Sequence, residues 1–167
     1  MDTERVISYL NALLSIELFA SETYPQYAQQ TNDSEIKRTL TEFGQDSDRH
    51  RQVVASLIAG LGGRQSTLRE LGSTTVAWGM GLAAATRRGK FGDFQDIQDL
   101  LFVEYRDRFH WYILRAIAEV TGDERLAAAV GSVLPDEEKH VSYLERKANE
   151  LARETMGQAA EETRGHP

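Results

Sequence analysis

Two residues one helical turn apart, Glu137 and His140, carry the clearest chemistry in the sequence. At i and i+3 on a helix, both side chains face the same partner. A Glu-x-x-His pair of this kind supplies a carboxylate oxygen and an imidazole nitrogen to metal pairs held inside helical bundles. Oxygen and nitrogen donors together suit iron, manganese or zinc. The ordinary alternative is an exposed helical charge pair.

Three further residues match that chemistry. Glu17 lies within Leu13-Leu14-Ser15-Ile16-Glu17-Leu18-Phe19, and Glu104 within Leu100-Leu101-Phe102-Val103-Glu104-Tyr105. A carboxylate among bulky apolar residues is costly to bury unless it is paired or binds a cation. One such case in each half of the chain makes a shared site the stronger reading. His50 occupies in the first half the place that His140 holds in the second. Asp107, one turn after Glu104, and His110, one turn after Asp107, are weaker candidates by the same spacing argument. Tyr24, Tyr105 and Tyr112 read as core residues, or as hydroxyls that orient a ligand.

These residues need helices to bring them together, and the sequence predicts four. Long segments free of Gly and Pro, rich in Ala, Leu, Glu, Arg and Gln, favour helix. The spacing of Val6, Leu10, Leu13, Leu14, Glu17, Ala20 and Tyr24 predicts a first helix over 3–30. Ile36, Leu40, Phe43, Ser47, His50 and Val54 mark the inner stripe of a second, over 34–59. A third is expected over 93–121 and a fourth from about 123 to 154, with Pro25 and Pro135 as candidate kinks. The 64–92 connection is far longer than antiparallel neighbours require, so it is expected to be a crossover that lets the second and third helices run parallel. Within it Val76–Ala85 is apolar, and a packed short helix is expected there in preference to a membrane-surface contact. Residues 1–155 therefore read as one all-α four-helix bundle, and 156–167 as a polar, disordered tail.

The chain of 167 residues suits one domain. It has no Cys, which excludes disulfides, thiolate metal sites and iron–sulfur clusters and fits a cytoplasmic setting. A net charge of -7 and a pI near 5.1 argue against nucleic-acid binding and favour drawing in cations. The acidic start Met1-Asp2-Thr3-Glu4 predicts no signal peptide. No apolar run long enough for a membrane span occurs.

The stretch Val6–Leu18, with Glu17 near its end, is similar to the first helix of bacterioferritins, and Asp136–Glu145 to their last ligand helix. On these residues the chain resembles the ferritin-like di-iron carboxylate superfamily, of the bacterioferritin and rubrerythrin kind, over about 1–61 and 93–155. The resemblance implies a ferritin-like four-helix bundle holding a di-iron centre, with manganese or zinc as alternatives. Its ligands would be Glu17, His50, Glu104, Glu137 and His140. It implies oxidoreductase chemistry on oxygen, peroxide or ferrous iron, and a homo-oligomer. The family places a metal-bridging Glu three residues before His50, where this chain has Ser47. Asp46 and Asp48 flank it, about 100° to either side. Asp107 could supply the missing carboxylate, much as rubrerythrin-like proteins use an additional one. The Met that binds haem in bacterioferritin falls at Asp48, so no haem is expected. The apolar crossover is similar in composition to demethoxyubiquinone hydroxylases. Ser47 also leaves open a bundle that kept the fold and lost the centre, or an iron-storage assembly with a degenerate one.

Overall fold

The computed structural model describes residues 2–66, 87 and 89–164, with side chains through 157. Among them are four helices: α1 (Thr3–Gln30), α2 (Ser34–Gly60), α3 (Gly89–Thr121) and α4 (Glu124–Arg164). The expected all-α bundle is what forms. The expected crossover helix and membrane-surface segment fall at 76–90, mostly outside the described residues.

Local chemistry sets the helix ends. Asp33 accepts hydrogen bonds from the Glu35 and Ile36 amides and caps α2. Asp123 does the same for α4 through the amides of Arg125 and Leu126. The turn before it uses Gly122 at φ +64°, a left-handed conformation that suits glycine. Two boundaries differ from expectation. α3 begins at Gly89, and α4 continues to Arg164, through the stretch expected to be a loose tail. Past Thr155 that stretch holds one Gly and no Pro before Arg164, and Gln-Ala-Ala-Glu-Glu favours helix.

α1 packs on α2 and α3 on α4, with thinner contact between the pairs. Tyr9 donates to the His110 carbonyl and Tyr24 to Glu104, so α1 and α3 are antiparallel. Lys147 of α4 bonds Glu35 of α2 while His50 lies against Asp136, so these two are antiparallel as well. α2 and α3 therefore run the same way, as the long connection requires. Its start is tied to α1, where Asn11 accepts from the Ser66 amide and donates to the Arg64 carbonyl.

The core forms two apolar plugs. One centres on Leu10, Leu13, Val54, Ile58, Trp111 and Leu114. The other centres on Tyr24, Ile36, Phe43, Ile97, Leu100 and Leu144. Each fully buried side chain of this size contributes about 1.5–3 kcal/mol. Gly44 lets α1 and α2 approach, since a Cβ there would lie 3.2 Å from Pro25 Cδ and 3.3 Å from Tyr24 Cβ. Gly44→Val should therefore overpack this contact and lower stability by about 1–3 kcal/mol, read as an earlier midpoint in urea unfolding. A midpoint at or above that of the parent chain would show that the two helices part without cost.

Candidate metal centre

Between the two apolar plugs lies a layer of buried charge. Glu17, Ser47, His50, Glu104, Asp107, Glu137 and His140 are each at most 1 % exposed. The four helices contribute at one level because their apolar stripes fix which face points inward. The polar residue in each stripe is carried in with it.

Two groups of ligand-type atoms form, each within 4.8 Å: Glu17 with His50 and Glu137, and Glu104 with Glu137 and His140. Glu137 belongs to both, so its carboxylate lies between the two halves. His50 Nδ1 is 2.9 Å from Glu137 Oε1 and 3.7 Å from Glu17 Oε2. His140 Nδ1 is 3.4 Å from Glu104 Oε2. Neither Nδ1 makes a hydrogen bond, nor does Glu17 Oε2, Glu104 Oε2 or Glu137 Oε2. Five buried polar atoms that converge without partners form a donor set a cation would satisfy. The oxygen and nitrogen donors fit iron, manganese or zinc.

The other atoms of these side chains are held in place. Trp111 donates its indole N–H to Glu17 Oε1 at 2.8 Å, and Tyr24 donates its hydroxyl to Glu104 Oε1 at 2.5 Å. His50 Nε2 lies 3.3 Å from Asp136 Oδ2, and His140 Nε2 lies 3.2 Å from Asp46 Oδ2. Each aspartate thus holds the histidine of the opposite helix. Arg49 donates to both, at 2.9 Å to Asp46 and 2.8 Å to Asp136. With the proton on Nε2, facing a carboxylate, each ring offers its Nδ1 lone pair inward. Phe43 packs on the His140 ring, centroids 3.9 Å apart.

The electrostatics follow from burial and crowding. Burial pushes the Asp107 carboxyl well above its ordinary range, and the charges of Glu17, Glu137 and Glu104 add to this. Glu137 is raised in the same way, by burial and by Glu104 and Glu17. Glu17 is raised by burial, which outweighs His50 and Trp111. Glu104 goes down: burial opposes this, and His140 and Tyr24 outweigh it. Both histidines go up, since the carboxylates beside them outweigh burial. The hydrogen bond from His140 brings Asp46 down to about 2, with help from Arg49.

The sequence-selected residues divide accordingly. Glu17, His50, Glu104, Glu137 and His140 come together. Asp107 is buried beside them, both oxygens unpartnered, yet it is outside the two close groups. His110 stands apart, its Nδ1 against the Arg106 carbonyl. Of the three tyrosines only Tyr24 reaches the site, while Tyr105 and Tyr112 bond Glu145 and Glu138 on the surface. Sequence reasoning missed Trp111, Asp46, Arg49 and Asp136. Of the two aspartates that flank Ser47, only Asp48 lies on the outer surface, bonded to Arg51 and Gln52. A signal was present: Asp46-x-x-x-His50 and Asp136-x-x-x-His140 repeat one pattern, and Tyr24 and Trp111 each follow a buried glutamate by seven residues.

No protein-family model matches the chain, and no curated protein does. Solved structures do. A protein from Xanthomonas campestris pv. campestris superposes with a TM-score of 0.79 at 16 % identity, over 96 % of this chain and 99 % of that one. A bacterioferritin-related protein from Bacteroides fragilis, described as a dodecameric thioferritin, superposes with a TM-score of 0.71 at 18 % identity, over 94 % and 92 %. The fold of this chain is the ferritin-like four-helix bundle.

Proposed function

We propose that the protein is a ferritin-like metal-binding protein with a two-metal carboxylate centre that carries out oxidoreductase chemistry. The observation behind this reading is the set of five inward-facing, unpartnered donor atoms, with Glu137 common to both groups. Glu17 and His50 would hold one metal, Glu104 and His140 the other, and Glu137 would bridge them. Iron is the favoured metal, with manganese or zinc as alternatives. Bound there, iron or manganese would supply redox chemistry toward oxygen, peroxide or ferrous iron, which zinc would not.

The protein's own residues do the rest. Asp46 and Asp136 fix the tautomer and tilt of the two histidines, and Arg49 neutralises the pair of aspartates. Trp111 and Tyr24 each occupy one oxygen of Glu17 and Glu104 and leave the other free. The two apolar plugs exclude bulk water from the layer. Asp107 lies beside the centre as an additional carboxyl group, in the layer where Ser47 has replaced one. The acidic surface favours cation entry, the cysteine-free composition supports a cytoplasmic setting, and the assembly of the Bacteroides fragilis neighbour supports self-association.

Three measurements test the reading. Elemental analysis after anaerobic ferrous loading should find about two metals per chain, and Glu137→Ala should lose them. A parent chain that takes up none would end the metal-binding reading. Asp46→Asn should weaken metal affinity about 10–100-fold, as loss of a ligand's orienting partner does. Asp48→Asn, which disturbs only surface bonds to Arg51 and Gln52, should leave affinity unchanged; equal effects of the two would remove Asp46 from the site.

The third measurement is the pH dependence of apoprotein stability. Glu17, Asp107, Glu137 and both histidines all have folded-state values above their unfolded ones. The folded apoprotein therefore binds more protons than the unfolded chain, and stability falls as pH rises. The loss begins above the unfolded carboxylate range near 4, and the histidines extend it above about 6.5. Thermal melting of the apoprotein should thus come earlier at pH 8 than at pH 5. Metal should flatten or reverse this slope, because it replaces the protons. An apoprotein more stable at pH 8 than at pH 5 would contradict the site's electrostatics.

A further inference from the structure

Six of the seven large apolar side chains exposed among the described residues lie on α3: Phe91, Phe102, Tyr105, Phe109, Ile113 and Val120. Phe102 is 67 % exposed, Phe109 59 % and Val120 89 %. They are not scattered around the helix. Phe102, Arg106, Phe109, Ile113, Ala116 and Val120 follow one another at steps of four, three, four, three and four residues. That alternation is the seam of a coiled coil, a straight line along one face. The face lies opposite the one that carries Glu104 and Asp107. Between Phe102 and Val120 it runs about 27 Å, and Arg106 is its sole charged residue.

We propose that this face pairs with the same face of a second copy, antiparallel, about a two-fold axis at the level of Trp111. The proposal rests on the reading that the chain self-associates and names the surface. The seam reads the same in both directions about its midpoint, as a two-fold, self-complementary interface requires. Phe102 meets Val120 of the second copy, Phe109 meets its Ile113, and Arg106 meets its Ala116. Charge selects this orientation. A parallel, in-register pairing would set Arg106 against itself, whereas the antiparallel one gives it a small neutral neighbour and room for its stem to lie along the seam.

The area is of the right size. Phe102, Tyr105, Phe109, Ile113 and Val120, which leave about 100 Å² open apiece, half of what a fully buried aromatic covers, offer about 500 Å² within the overlap. A standard interface takes about 800 Å² from each partner. Arg106 and Ala116, which complete the seam, bring this to the lower end of the standard range. A patch of this extent stands at the upper end of what a monomer leaves in water.

Sedimentation velocity of the full chain tests it, with Phe109→Glu as the variant. The parent chain should sediment as a dimer or a multiple of one. Phe109→Glu should at least halve its mass and leave the circular-dichroism spectrum unchanged, since the side chain is exposed. Orientation is read separately. The chain has no cysteine of its own, so an Arg106→Cys chain mixed with an Ala116→Cys chain should oxidise to a linked heterodimer. Either chain alone should link far less, because its cysteines lie about 15 Å apart along the axis and a disulfide needs Cα atoms within about 7 Å. A monomeric parent would overturn both this surface and self-association itself. An oligomer that Phe109→Glu leaves intact, or a mixture that gives no linked heterodimer, would overturn this surface alone. If Phe109→Glu fails to fold, the cysteine pair still decides.

Discussion

Charge in a dry place is the constraint around which this bundle is built. Four carboxylates and two imidazoles occupy one layer, each at most 1 % exposed. An unpaired buried ion costs several kcal/mol even after relaxation, so the layer must hold protons or cations to exist. This explains why three of its four carboxyls, Glu17, Asp107 and Glu137, move toward the protonated form, and why so many oxygens and nitrogens in it lack partners. It also explains the apolar plugs at either side. They supply the stability that lets the bundle tolerate the layer, and they keep out the water that would otherwise relieve it.

The layer has an approximate internal two-fold symmetry. Glu17 corresponds to Glu104, His50 to His140, Tyr24 to Trp111 and Asp46 to Asp136. Each supporting interaction crosses between the halves: Trp111 holds Glu17, Tyr24 holds Glu104, Asp136 faces His50 and Asp46 faces His140. The symmetry fails at two places. Ser47 stands where its counterpart is Glu137, and Ala20 stands where its counterpart is Asp107. The first half has lost a carboxylate and the second has gained one, so the carboxylate count of the layer is preserved while its shape is not. Burial and the neighbouring carboxylates push the Asp107 carboxyl toward its protonated form beside the ligand groups.

Legibility from sequence followed how unusual a residue is in its local context. Glu17 and Glu104 stood out because a carboxylate amid Leu, Ile, Phe and Val has few reasons to be there. Glu137 and His140 stood out by spacing. The helices were plain from apolar periodicity, and the parallel course of α2 and α3 from the length of the connection. Trp111 was hidden because an indole on a helix stripe looks like core, which it also is; only its N–H reveals the second role. Asp46 and Arg49 were hidden because an acid and a base one turn apart are common on helix surfaces. What gives them meaning is Asp136 on another helix, a contact between residues 87 positions apart. The extra length of α4 was hidden for another reason: the polarity of residues 156–164 suggested a tail, whereas their backbone propensity favours helix.

The third helix shows how these demands meet in one element. α2 and α4 keep apolar residues to one side, the usual pattern for a helix packed against a single core. α3 does not. Its inner face carries Glu104, Asp107 and Trp111, and its outer face carries a line of aromatic and aliphatic side chains. Ile97, Leu100, Trp111 and Leu114 hold the helix to the two plugs, while at the level of Glu104 and Asp107 the inner face has charge where a core helix has apolar contact. Burial of the outer face would fix the helix from behind. The positions of Glu104 and Asp107 would then depend on contacts on both sides of the backbone that carries them. The precision a carboxylate centre needs, with ligand atoms held to a fraction of an ångström, is easier to reach on a helix clamped from two sides than on one held from its inner face alone.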